Sequence, residues 1–233
     1  MNIIKISPSL MCADLANLGE EVKTLTSIKA DQLHFDIMDG NFVPDIGLSH
    51  LEIKAVRHLT PLLFEAHMMI VNPLRYVGVF VEAGADIICI HAESCTNLYK
   101  VIQEIKQRGK KAGVALNPAT PLCMVENILT EIDLILLMMV SPGYKVPGVK
   151  SAGYFPGVLE KACCLREIIR KKELNIDIEA DGSVNEKSIV NMAGAGINVF
   201  VVGSALFDER PLSAHKIQEL RNRAEKAFLE KWG

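Results

Sequence analysis

Six cysteines are spread along the 233 residues without a single C-x-x-C pair, so neither a redox dithiol nor a thiolate metal site is spelled out. Most of them sit among apolar neighbours, a pattern that predicts buried, reduced thiols. No segment has the length and apolarity of a membrane span. The short apolar run at the start, broken by Pro8, is too brief for a secretory core. These absences predict a cytoplasmic protein with no membrane partner. The chain also lacks any excess of positive charge: its formal net charge is -3, which argues against nucleic acid as a partner. An anionic small molecule would need a local device. There is no linker and no low-complexity tract.

What the chain has is apolar material in quantity, 49% of residues against 23% charged, enough for a sizeable core. Short β-branched or Leu-rich runs alternate with longer segments of helical period, the pattern of a parallel sheet covered by helices. Strands are expected near residues 4–8, 31–37, 62–68, 86–91, 111–116, 133–140, 175–181 and 198–203. Helices are expected near 14–28, 49–58, 73–83, 96–108, 121–129, 156–171, 185–193 and 213–230. Gly84, Gly109, Gly194 and Gly196 supply stop signals. Eight strand-helix units predict one α/β domain over 1–233, a closed (β/α)8 TIM barrel.

Barrels of this kind carry their chemistry at the C-terminal strand ends. Polar residues gather there: Ser7 and Ser9 after the first strand, His34 and Asp36 on the second, His67 on the third, Asp181 closing the seventh. Residues two apart on a strand share a face, so His34 and Asp36 both point into the barrel mouth. Two imidazoles and two carboxylates form a mixed N/O set suited to Zn²⁺, Mn²⁺, Fe²⁺ or Co²⁺. Taken singly, each His reads as a hydrogen-bonded core residue and each Asp as a helix cap. Taken together they favour a cation, because two carboxylates buried without one carry a large desolvation cost.

Several blocks then fall into a recognisable order: His34-Phe-Asp36-Ile-Met38-Asp39-Gly40-Asn-Phe42-Val43-Pro44, His67-Met-Met69, Pro142-Gly143-Tyr144, Asp181-Gly182-Ser183 and Gly203-Ser204. In sequence and spacing they resemble the ribulose-phosphate 3-epimerase family, from Ser7-Pro-Ser9 to about Leu206. The resemblance implies a ribulose-phosphate binding barrel and an isomerase that inverts C3 of a ketose phosphate. It implies one divalent metal, Zn²⁺ by preference, on His34, Asp36, His67 and Asp181, with Asp36 and Asp181 also serving as the acid/base pair around a metal-stabilised cis-enediolate. Inversion beside a carbonyl fits such a pair, since a proton must leave one face and return to the other. The resemblance further assigns Met38, Met69 and Met138 to the wall of the reaction chamber, and substrate contacts to Ser9, His67, Gly143, Tyr144, Asp181, Gly182, Ser183, Gly203 and Ser204. It also implies a homo-oligomer, dimer or hexamer.

Phosphate sites in such barrels form from the loops after strands seven and eight, where backbone N–H groups face the anion. Gly182-Ser183 and Gly203-Ser204 occupy those loops. The loop after strand six departs from the family's usual Pro-Gly-Phe-Gly-Gly-Gln. Here about five residues are extra, from Lys145 to Tyr154, in a segment that normally covers the substrate. Lys145 and Lys150 read as solvated, and Gly148 or Gly153 as replacements for the missing glycines. His91 and Glu93 read as hydrogen-bonded rather than ligating. The leading expectation is D-ribulose 5-phosphate to D-xylulose 5-phosphate. The alternative is D-allulose 6-phosphate to D-fructose 6-phosphate, which Glu179-Ala-Asp181-Gly-Ser183-Val-Asn185 and the altered lid favour. Aldolase and decarboxylase barrels use Asp-x-Lys-x-x-Asp, whereas this strand reads Asp36-Ile-Met38-Asp39 and lacks the lysine. A non-catalytic sugar-phosphate binding protein is the third reading.

Overall fold

The computed structural model describes residues 4–143 and 153–233. Tyr144, Lys145, Gly148 and Lys150 lie outside the described residues. Eight parallel strands follow in the order β1-β8-β7-β6-β5-β4-β3-β2: β1 Lys5–Pro8, β2 Gln32–Met38, β3 Leu63–Met69, β4 Ile87–His91, β5 Lys111–Leu116, β6 Leu134–Met138, β7 Asp177–Asp181 and β8 Val199–Val202. A lone parallel bridge between Ser9 and His34 joins the β1 end to β2, bringing the barrel almost to closure at the mouth.

The helices are α1 Leu18–Ser27, α2 His50–Val56, α3 Val77–Ala83, α4 Leu98–Gln107, α5 Gly157–Lys171, α6 Ser188–Gly194, α7 Ser204–Phe207 and α8 Ala214–Trp232. Local chemistry sets several of their starts. Ser49 and Glu52 form a reciprocal capping box on α2, while the Asn97 and Ser213 side chains accept the N–H of Lys100 and Lys216 at the starts of α4 and α8. The helix expected at 121–129 does not form. Leu122–Met124 and Glu126–Glu131 are 3-10 turns instead. This short stretch buries only Val125 and Leu129, too little packing to offset the cost of nucleating an α-helix.

Alternation along each strand sorts the residues into two environments. The outward residues, among them Leu33, Phe35, Phe64, Ile88, Ile90, Val114, Ile135, Ile178 and Phe200, join the helices' buried faces in one core. The inward residues are chemically split. Cys89, Ala115, Leu134, Leu136 and Met138 form a small apolar cluster on the β4-β5-β6 side, while Gln32, His34, Asp36, Glu65, His67, His91 and Glu179 are buried polar groups. A polar lumen is tolerable because the apolar work of folding is done between strands and helices.

The cysteines are less buried than their neighbours suggest. Only Cys89 is buried; Cys12, Cys123 and Cys164 are exposed. Cys12 and Cys123 end up on 3-10 turns. Cys164 lies on the outer side of α5, whose inner face is Val158, Ala162, Leu165 and Ile169.

Candidate active site

The register of β2 and β3 sets Asp36 beside His67, and that of β6 and β7 sets Met138 beside Asp181. One ligand atom from each of His34, Asp36, His67 and Asp181 lies within 4.8 Å of the other three. His34 Nε2 is 3.2 Å from His67 Nδ1 and 3.4 Å from Asp36 Oδ1. His67 Nδ1 is 3.6 Å from Asp36 Oδ1 and 3.7 Å from Asp181 Oδ2. The other oxygen of Asp36 is committed, since Ser9 Oγ donates to Oδ2 at 2.6 Å. Ser9 therefore orients this carboxylate with Oδ1 toward the cluster.

Behind the cluster lies a polar layer that sequence reading left without a role. Glu65 Oε2 sits 3.3 Å from His34 Nδ1, and Gln32 Nε2 bridges Glu65 and Glu179 at 3.1 and 3.4 Å. With Glu65 accepting the Nδ1 proton, loss of the second imidazole proton to an entering metal would leave the His34 Nε2 lone pair aimed at the cluster. The available signal was parity: Glu65 stands two residues before His67, and Glu179 two before Asp181, so both had to face inward.

Electrostatics fit a cation of two charges. Burial pulls His34 toward neutrality, yet the Asp36 and Glu65 charges together hold its pKa well above the usual imidazole value. Burial also presses on Asp36, but the His34 charge beside it keeps it far below the carboxylate range. Asp181, desolvated and facing the Asp36 charge, is pushed up to about 7. The carboxylates thus favour the charged form of His34, and burial with the Asp36 charge favours the protonated form of Asp181. A divalent ion on the same four side chains would replace those protons, with N and O donors of a kind that Zn²⁺ and its neighbours accept.

Met38 and Met69 pack with Val43, Met11 and Phe42 in a small apolar group at the mouth, apart from the main core. Met138 instead belongs to the lumen cluster with Cys89 and Leu136. Glu93 and His91 are hydrogen-bonded to each other at 3.2 Å, and His91 is outside the four-residue cluster.

The other side of the mouth is built from loops. Ser183 and Ser204 line one cavity of about 460 Å³ together with Gly153, Val184, Asn185, Glu186, Ala205, Asp208 and Glu209. Gly182 and Gly203 are the residues just before the two serines. Gly182 has φ +103, and a Cβ there would stand 2.5 Å from Val140 Cγ2; the turn out of β7 requires glycine. Glu186 and Glu209 on the cavity rim both bind Lys216, the latter at 2.8 Å. Gly143 is described, at φ +96 beside Val43.

Fold and cluster together define a class: a (β/α)8-barrel enzyme whose mouth pairs a His/Asp group compatible with a divalent metal with a glycine-bordered cavity in the loops after β7 and β8. The match to known proteins is more specific. Residues 5–207 fit the model of the ribulose-phosphate 3 epimerase family. The Bacillus subtilis ribulose-phosphate 3-epimerase is 42% identical over 211 residues, 89% of this chain and 94% of the relative. That of Escherichia coli K12 is 37% identical over 97% of this chain and 98% of its own. Among solved structures, the Vibrio cholerae 3-keto-L-gulonate-6-phosphate decarboxylase superposes with a TM-score of 0.73 over 99% of both chains at 14% identity, a likeness of fold alone. The chain belongs to the ribulose-phosphate 3-epimerase family, and with it to the carbohydrate epimerases of the isomerase class.

Proposed function

We propose that this chain, one barrel domain, interconverts D-ribulose 5-phosphate and D-xylulose 5-phosphate by moving a proton at C3. The observation that carries this reading is the asymmetric carboxylate pair. Asp36 is held ionised and Asp181 is raised to about 7, a base and an acid set apart by their surroundings. Their strands, β2 and β7, are separated by β1 and β8 around the barrel, so the two carboxyls reach the mouth from different sides. Asp36 takes the C3 proton from one face of the substrate, and Asp181 delivers one to the other; in the reverse direction they exchange roles. His34 and His67, with the same two aspartates, would hold one divalent ion, for which Zn²⁺ is our assignment. When bound, that ion supplies Lewis-acid stabilisation for the negative charge on the substrate's C2 and C3 oxygens.

Ser9 keeps Asp36 turned toward the reacting carbon. Met38 and Met69 offer an apolar, aprotic wall, with Met138 completing it from β6. Backbone N–H groups at Gly182-Ser183 and Gly203-Ser204 receive the phosphate, as barrels of this type do after strands seven and eight, and Gly143 contacts the substrate from the loop after β6. The names of the relatives support a pentulose phosphate. The test is the ratio of kcat/KM for D-ribulose 5-phosphate to that for D-allulose 6-phosphate. A preference for the pentulose supports the proposal, a preference for the hexulose moves the substrate to six carbons, and turnover of neither removes the epimerase reading.

A further inference from the structure

His91 and Glu93 have no place in the proton transfers, yet His91 is buried against one of the residues assigned to the metal, with the partly exposed Glu93 behind it. His91 is fully buried. Its Nε2 lies 2.9 Å from His67 Nε2, with the two ring planes within 25° of each other, the arrangement of an in-plane hydrogen bond. Two facing imidazole nitrogens can bond only if one carries a proton and the other a lone pair.

The direction is decided at the far end. The Glu93 Oε1 oxygen accepts the backbone N–H of Asn117 at 2.8 Å and the hydroxyl of Thr120. Lys161 fixes this turn by donating to the carbonyls of Asn117 and Pro118 at 3.0 and 2.9 Å. Glu93 Oε2 then faces His91 Nδ1 at 3.2 Å. A carboxylate whose partners are all donors requires the proton on His91 Nδ1, which leaves Nε2 as an acceptor. His67 must therefore donate from Nε2, and its lone pair falls on Nδ1, the atom that faces Asp36, Asp181 and His34.

We propose that Glu93 and His91 form a positioning relay that fixes the tautomer of His67 and presents its Nδ1 as a metal-binding atom. The inference rests on the metal reading above. His34 obtains the same service directly from Glu65; His67 obtains it through an intervening imidazole. Partners behind a ligating histidine typically govern metal affinity by about 10- to 100-fold.

The test titrates Co²⁺ alone against a competing chelator with the full chain and two variants. His91→Leu removes the acceptor, whereas His91→Gln places an amide oxygen near the position of the ring Nε2. The relay predicts that H91L weakens Co²⁺ binding by about 10- to 100-fold and that H91Q recovers most of the loss. Unchanged Co²⁺ affinity in a folded H91L overturns it. Should the variants fail to fold, ¹⁵N spectra of the metal-free wild type decide: protons on His91 Nδ1 and His67 Nε2 support the relay, and a proton on His91 Nε2 overturns it. Because that measurement needs no metal, a wild type that binds no Co²⁺ would refute the metal reading while the hydrogen-bond direction is judged separately.

Discussion

The two sides of the barrel mouth are made differently. On one side, His34, Asp36, His67 and Asp181 stand on strands, three of them buried, with Ser9 and Glu65 orienting Asp36 and His34. On the other, Ser183 and Ser204 open a cavity from loops, where the backbone conformation at Gly182 matters more than any side chain. Ionic chemistry needs particular residue types held by rigid strands. Anion binding by N–H groups needs only a turn of the right shape. Damage to the first side should therefore appear in kcat and metal affinity, and damage to the second in KM.

The largest expected effect comes from the carboxylates. Asp36→Asn and Asp181→Asn should each lower kcat by about 10²- to 10⁴-fold, measured in a coupled epimerase assay, with binding of a substrate analogue less affected. A large KM change at constant kcat would break the contrast between the two sides. Next is the pH dependence of metal binding. The charges around His34 raise its pKa, and burial with the Asp36 charge raises that of Asp181, so both protons must leave before the ion enters. Apparent Zn²⁺ affinity should thus fall as pH drops across the neutral range, and more steeply below about 7, where Asp181 also holds its proton, with proton release seen by calorimetry in buffers of different ionisation enthalpy. Affinity independent of pH between 5.5 and 8 (approximate limits, set by the usual imidazole range) would mean that those protons are not displaced.

A smaller effect tests the loop side. Gly182→Ala puts a Cβ against Val140 at a φ of +103, and should raise KM about tenfold, the equivalent of one charged hydrogen bond worth about 1.5 kcal/mol, with kcat little changed. The smallest serves as a control. Glu173, exposed beyond α5, also has a left-handed backbone, at φ +52. Glu173→Gly should raise Tm by about 2–4 °C through relief of that conformation, with neither KM nor kcat altered.

Much of this was legible in the sequence because it depends on residue type and period. The alternation of strands with helical segments placed all eight strands to within a few residues, and the block from His34 to Pro44 placed half of the cluster. The helix expected at 121–129 was not legible: its apolar period is real, but the segment buries too few residues to hold an α-helix. Glu65, and the inward role of Glu179, escaped notice for a different reason. A glutamate inside a strand looks like a solvent-facing residue until the barrel's inward parity is applied to it. Cysteine burial failed because apolar neighbours along the chain need not share a face on a helix. The loop after β6 differs from the family pattern in length, and length alone assigns no contact.

Exchange of the C3 hydrogen of D-ribulose 5-phosphate in D₂O, followed by NMR before chelation, after it, and after Zn²⁺ is restored, tests the central claim most directly. The account predicts deuterium entering at C3 together with formation of D-xylulose 5-phosphate, both lost with the metal and both recovered with Zn²⁺. Epimerisation that leaves C3 unlabelled, or exchange that survives complete metal removal, would contradict it.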